Sequence, residues 1–255
     1  MKRLFLAAAL MGIALTAQAA TPAPIAQAPI AQALADPSRA EDVARDGLRH
    51  AAELLSFMEV RPGQKVADLI PGGGYFTRLL SKVVGPKGKV YAVFPKEYLS
   101  EGDGEVKKLQ AQAADPKWAN IIVIVEPAAA FAAPERLDMV WTSQNYHDYP
   151  DKFMGPTDPK LLNAAVYKAL KPGGLFVIVD HAAQVGSGLR DTETLHRIDE
   201  ATVKAQVLAA GFEFVGESPV LRNPEDARTL LVFDKAIRGK TDQFAFKFRK
   251  PKTAR

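Results

Sequence analysis

The chain has 255 residues, 24% of them charged, and contains no cysteine, which excludes disulfides and thiolate metal sites. Its formal charge of +4 falls by two, to +2, once Lys2 and Arg3 are set aside. No basic, aromatic-interleaved stretch marks a nucleic-acid partner, and the basic end Lys247, Arg249, Lys250, Lys252 and Arg255 reads as a solvated tail.

Lys2 and Arg3 precede an apolar run, Leu4 to Leu15, and Ala17-Gln18-Ala19 gives the small-x-small pattern of a cleavage site. The pattern predicts a signal peptide over residues 1–19, too short for a mature membrane span. The product is then periplasmic or secreted, with no stable membrane insertion once the signal is removed. Residues 20–38 are rich in Ala, Pro and Gln and are expected to form a flexible leader. Residues 39–255 remain for one domain with a sizeable core.

Leu48, Ala51, Leu54, Leu55 and Met58 share a helical face, and Arg61-Pro62-Gly63 ends that helix. Lys65–Ile70 is a short apolar strand whose interior charge is Asp68. Pro71 and three glycines, Gly72, Gly73 and Gly74, turn it into a helix over Tyr75–Val84. A second strand, Lys89–Phe94, precedes a polar helix over about Tyr98–Ala114. Ile121–Val125 and Leu137–Trp141 read as strands, the former buried on both faces. A helix over Leu161–Leu170 stops at Lys171-Pro172-Gly173-Gly174, before a fifth strand, Leu175–Val179. Asp199 is the N-cap of a helix ending at Gly211. Phe212–Glu217 and Thr229–Phe233 read as a closing strand pair, and Phe244, Phe246 and Phe248 alternate as an extra edge strand. Strands alternating with helices predict an α/β fold, a doubly wound, mostly parallel sheet with an antiparallel terminal strand.

The glycine turn, the Leu170–Gly174 turn ahead of FVIVD and the later AGFEFVGES, in that order, resemble the class I S-adenosylmethionine-dependent methyltransferases over nearly all of residues 49–233. Within that family the chain is similar to exported bacterial members, judged also by NYHDY and HRIDE. The resemblance implies a Rossmann-like fold and S-adenosylmethionine as cofactor. Asp68 would orient the glycine turn and the cofactor's amino-acid end, with Pro71, Gly72, Gly73 and Gly74 passing beneath it. Two positions depart from the family pattern. Ile70 stands where the first glycine belongs, and Phe94 where an acidic residue normally holds the ribose. Phe94 is expected to stack on the adenine, and Glu126 to meet its amine. A nicotinamide dinucleotide is disfavoured, because no G-x-G-x-x-G is present.

Of four histidines, His147 follows the fourth strand beside Asp148, where the family presents its methyl acceptor. A histidine that titrates near neutrality suits a general base, so His147 and Asp148 are the predicted catalytic pair. Asn145-Tyr146 is similar to the Asn-Pro-Pro-Tyr motif of amine-directed enzymes but lacks the prolines, so no amine acceptor is inferred. Asp180, His181, Asp191 and His196 could join His147 around an ion; their spacing matches no recognised ligand pattern, and no metal is assigned. Gly186-Ser187-Gly188 is not a nucleophile elbow, since no strand runs into Ser187. The expected activity is methyl transfer to a small molecule. The alternative is an exported protein that keeps the fold, has lost transfer and binds a small molecule. The sequence assigns no oligomeric state.

Overall fold

Apolar runs of five to seven residues alternate with amphipathic segments, and in the computed structural model, which describes residues 27–252, they form one seven-stranded sheet. The predicted signal peptide, residues 20–26 of the leader and Arg255 lie outside the described residues. In chain order the elements are α1 (Gln27–Leu34), α2 (Ala51–Met58), β1 (Lys65–Leu69), α3 (Tyr75–Val84), β2 (Lys89–Pro95), α4 (Leu99–Ala113) and β3 (Ile121–Glu126). There follow β4 (Leu137–Ser143), α5 (Pro159–Ala169), β5 (Leu170–His181), α6 (Thr192–Leu195), α7 (Glu200–Ala209), β6 (Glu213–Ser218) and β7 (Gln243–Arg249).

The strand order is β3-β2-β1-β4-β5-β7-β6, with β7 antiparallel to both of its neighbours. The doubly wound sheet is as expected, with three differences in detail. First, the Phe244–Phe248 segment is no edge strand. It lies between β5 and β6, and its phenylalanines are fully buried. Second, with that place taken, Thr229–Phe233 forms no strand and instead crosses the rim of the cavity described below. Third, Ile121–Val125 is an edge strand, and Ile122 is exposed.

Strand alternation sends side chains to two apolar layers. Val66, Met139, Trp141 and Val177 pack beneath α1, α2 and α3, while Ala67, Leu69, Val140 and Phe176 pack with α5 and α7. The helix α1 falls within the segment expected to be a flexible leader. Its Ile30 and Ala33 are buried against α3, so residues 27–38 belong to the folded unit. Arg39 reinforces this by donating to Asp46 at 2.7 Å and to the carbonyls of Ala33 and Leu34 at the end of α1. The basic end is also engaged, because Lys247 pairs with Glu59 at 2.6 Å and Lys250 donates to the carbonyls of Tyr167 and Leu170. No helix among the described residues is long and apolar enough to cross a membrane.

Candidate functional site

The chain runs from β1 toward β2 and β3 on one side and places β4 and β5 on the other. The sheet order therefore reverses between β1 and β4, the point at which open α/β sheets leave a crevice. A cavity of about 720 Å³ opens there. Its floor is Asp68 of β1 with Ile70 and Pro71–Gly73 after it, and Ser143 of β4 with Gln144, Asn145, His147 and Asp148 after it; His181 closes the end of β5. Arg45, Arg49, Tyr98, Phe153, His196 and Phe233 form its walls.

Asp68 is nearly inaccessible and accepts the Thr77 hydroxyl of α3 at 2.6 Å. Burial pushes its carboxyl up to about 7 against the pull of Thr77 and of the Arg49 charge. Ile70 takes φ +49°, the left-handed conformation that glycine supplies in the usual motif. The turn is pinned from two sides. Asn145 Nδ2 donates to the Ile70 carbonyl at 2.9 Å, and Arg78 donates to the Gly73 carbonyl at 2.8 Å while forking onto Asp42. Asn145 Nδ2 is thereby committed to backbone, donating to the Ser143 carbonyl at 2.7 Å as well.

Three residues predicted to meet the cofactor lie elsewhere. Phe94 shares the parity of Ala92 in β2, so it is buried beneath α4 with Val106, Leu109 and Trp118 rather than facing the cavity. Glu126 accepts the Ala132 amide at 2.7 Å and holds the loop after β3. Gly74 is the left-handed cap of α3, and a Cβ there would meet Leu109 Cδ1 at 2.8 Å, so its role is packing. Two further acidic side chains line the cavity beside Asp68 and Asp148: Glu101 and Glu105 of α4, which sequence reasoning missed. A Cβ on Gly72 would stand 3.7 Å from the Glu105 carboxylate, whose other partner is the Tyr98 hydroxyl at 2.8 Å. Tyr98 and Glu105 are seven residues apart on a predicted helix, a spacing that puts them on one face.

The predicted catalytic pair is together, and more crowded than expected. His147 Nδ1 meets Asp180 Oδ1 at 2.7 Å, while Nε2 lies 3.0 Å from Asp148 Oδ1 and 3.2 Å from His196 Nδ1. Burial opposes charge on this ring, yet the carboxylates of Asp180 and Asp148 outweigh it and hold the His147 proton well above the usual histidine range. Asp148 is held down to about 2, because the two imidazoles overcome its own burial. The predicted general base therefore has both ring nitrogens engaged within this cluster, Nδ1 with Asp180 and Nε2 with Asp148 and His196. His181, grouped with it by sequence, turns its Nδ1 to Thr241 at 2.8 Å, and burial drives it down to about 3. Asp191 is paired with Arg190. His50 sits outside the cavity at the start of α2.

Comparison with known proteins supports the architecture. No family model matches the chain. A demethylmenaquinone methyltransferase of Geobacillus sp. (strain WCH70) is 27% identical over 148 residues, which is 57% of this chain and 57% of that protein. The chain thus matches little more than half the length of this curated relative. Among solved structures, a SAM-dependent methyltransferase from Aquifex aeolicus superposes with TM-score 0.56 at 18% identity, covering 88% of this chain and 98% of that one. The glycopeptide N-methyltransferase MtfA, complexed with sinefungin, gives 0.55 at 16% identity over 81% and 87%. The [4+2]-cyclase SpnF gives 0.56 at 16% identity over 79% and 82%. The sheet order, the glycine turn after β1 and these superpositions together show that the chain has the fold of the class I S-adenosylmethionine-dependent methyltransferases.

Proposed function

We propose that the protein is an S-adenosylmethionine-dependent methyltransferase acting on a small molecule, exported by its amino-terminal signal to the periplasm or beyond. The observation that carries this reading is the arrangement at the β1/β4 crevice. The Gly72–Gly73 backbone, the buried Asp68 carboxyl and the acidic oxygens of Glu101 and Glu105 line one cavity of about 720 Å³. These groups fit the cofactor. Asp68 suits an ammonium group, glycines admit a ligand close to the backbone, and Glu101 and Glu105 offer acceptors for ribose hydroxyls in place of the acid missing from β2. When bound, S-adenosylmethionine supplies an electrophilic methyl group on its sulfonium centre.

The remaining work of the chain is positioning, since a direct displacement is accelerated chiefly by alignment. The His147, Asp148 and His196 cluster shares the cavity and faces the acceptor. His147 is fixed by Asp180, and its Nε2 lies against Asp148 and His196 within the cluster. Phe76, Trp141, Phe153 and Phe233 give the cavity apolar walls that favour a small, partly apolar acceptor. A second reading, a binding protein that has lost transfer, is favoured by Ile70 and Phe94 at positions where the family has glycine and acid.

A thermal melt with and without S-adenosylmethionine decides between them. Ligand at a hundred times its dissociation constant adds about 2.7 kcal/mol, or roughly 5–10 °C for a domain of this size. The expected result is a shift of that order that vanishes in Asp68→Ala. No shift at millimolar cofactor overturns the transferase reading and leaves the binding protein.

A further inference from the structure

We propose that His147 Nε2, Asp148 Oδ1 and His196 Nδ1 form a divalent-metal site, with zinc the ion that this donor set suits best. The three atoms stand 3.0, 3.2 and 3.6 Å apart. Three donors on a tetrahedral ion with bonds of about 2.0–2.1 Å lie about 3.3 Å from one another, so the spacing is that of one face of a tetrahedron. Hydrogen bonding accounts for the geometry only as one shared, three-centre bond. His147 Nε2 meets a carboxylate oxygen and a second imidazole nitrogen at once, and one ring nitrogen offers a single hydrogen or a single lone pair. A cation at the centre of the three takes one lone pair from each and satisfies them together.

The surroundings are built as those of a metal-ligating histidine are. Asp180 Oδ1 holds the far nitrogen of His147 at 2.7 Å, and Asp180 is itself fixed by the backbone N–H groups of His147 and His181, each at 2.8 Å. A carboxylate on the distal nitrogen orients the ring and raises its strength as a donor. His196 is presented from a left-handed turn at φ +52° after α6, an unfavourable conformation for a side chain larger than glycine. Its ring is then braced against Phe233, with centroids 5.0 Å apart. The Asp151 carboxylate, buried nearby without a well-formed hydrogen bond, adds negative potential felt by both imidazoles.

All three donors line the cavity, so the remaining coordination position faces it. An oxygen donor of the bound small molecule, a hydroxyl, phenolate or carboxylate, is the ligand class that completes the site. The arrangement stands independently of methyl transfer.

The test is a titration of untagged, chelator-stripped protein with Zn²⁺ by calorimetry, and with Co²⁺ by its visible absorption, which is intense in tetrahedral complexes. One equivalent should bind and give the tetrahedral Co²⁺ spectrum. His196→Ala and Asp148→Asn should each weaken binding by about 100-fold or more, and Asp180→Asn by roughly 10–100-fold. His50→Ala, outside the cavity, should leave it unchanged. Circular dichroism checks that each variant folds, and His196→Ala, on the partly exposed turn, carries the test should a buried variant unfold. Absence of stoichiometric binding, or binding that survives both ligand substitutions, overturns the site. The titration contains no S-adenosylmethionine, so its failure leaves the cofactor reading intact, and a missing cofactor shift leaves the metal site intact.

Discussion

Ile70 holds a left-handed backbone without being glycine, and it does so because its side chain is buried. The conformation costs about 1–2 kcal/mol for a residue with a Cβ. Burying an isoleucine contributes roughly 1.5–3 kcal/mol, which offsets it. Ile70→Ala keeps the strain, loses the packing and should cost about 2–4 kcal/mol. Ile70→Gly also loses the packing but relieves the strain, so in urea denaturation it is expected to cost about 1–2 kcal/mol less than Ile70→Ala. Asp68 gives a pH signature. Its carboxyl sits at about 7 when folded against an ordinary 3.8, so the folded state binds the proton more tightly than the unfolded chain. Stability attributable to this group is present below about pH 4, is lost as pH rises toward 7, and stays lost above it. Asp68→Asn should thus unfold at higher urea than the wild type at pH 8, by up to a few kcal/mol, with the gap closing near pH 4.5.

At the scale of elements, local pattern and long-range pairing separate cleanly. The helix over Tyr75–Val84 and the Asp199-capped helix were legible because apolar spacing, capping side chains and glycine punctuation are all written within one segment. Glycine turn, Asp68, His147 and Asp148 were legible in the same way. The place of β7 was not, since alternating phenylalanines specify a strand and say nothing about which edge it joins. Phe94 and Glu126 failed for a related reason, because whether a strand-end residue faces a cavity depends on parity against a sheet not yet assembled. Glu105 and His196 reach the cavity from elements remote in sequence from the glycine turn. Two substitutions probe the elements. Gly74→Ala adds a Cβ at φ +76° against Leu109 and should lower the melting temperature by several degrees. Ile30→Ala in α1 should cost about 2–4 kcal/mol, whereas a flexible leader would tolerate it without effect.

At the scale of the whole molecule, the two ends of the described chain are both structural. The amino-terminal segment lays α1, Arg45 and Arg49 over α3 and the cavity wall, and the carboxyl-terminal segment fills the interior of the sheet. A chain ending at Asp242 leaves the facing edges of β5 and β6 unpaired together with their apolar faces. It should sediment as aggregate or show the circular dichroism of an unfolded chain, while the same protein extended through Lys250 should be monodisperse.

The central position of β7 also sets an order of events. Synthesis proceeds from the amino end, so β5 and β6 leave the ribosome before the strand that joins them exists. Until β7 emerges, the sheet has a gap one strand wide and no stable way to close it. Closure of the sheet is thus deferred until β7 is available. That delay suits the proposed export, because a domain that closed early would not thread a narrow membrane pore.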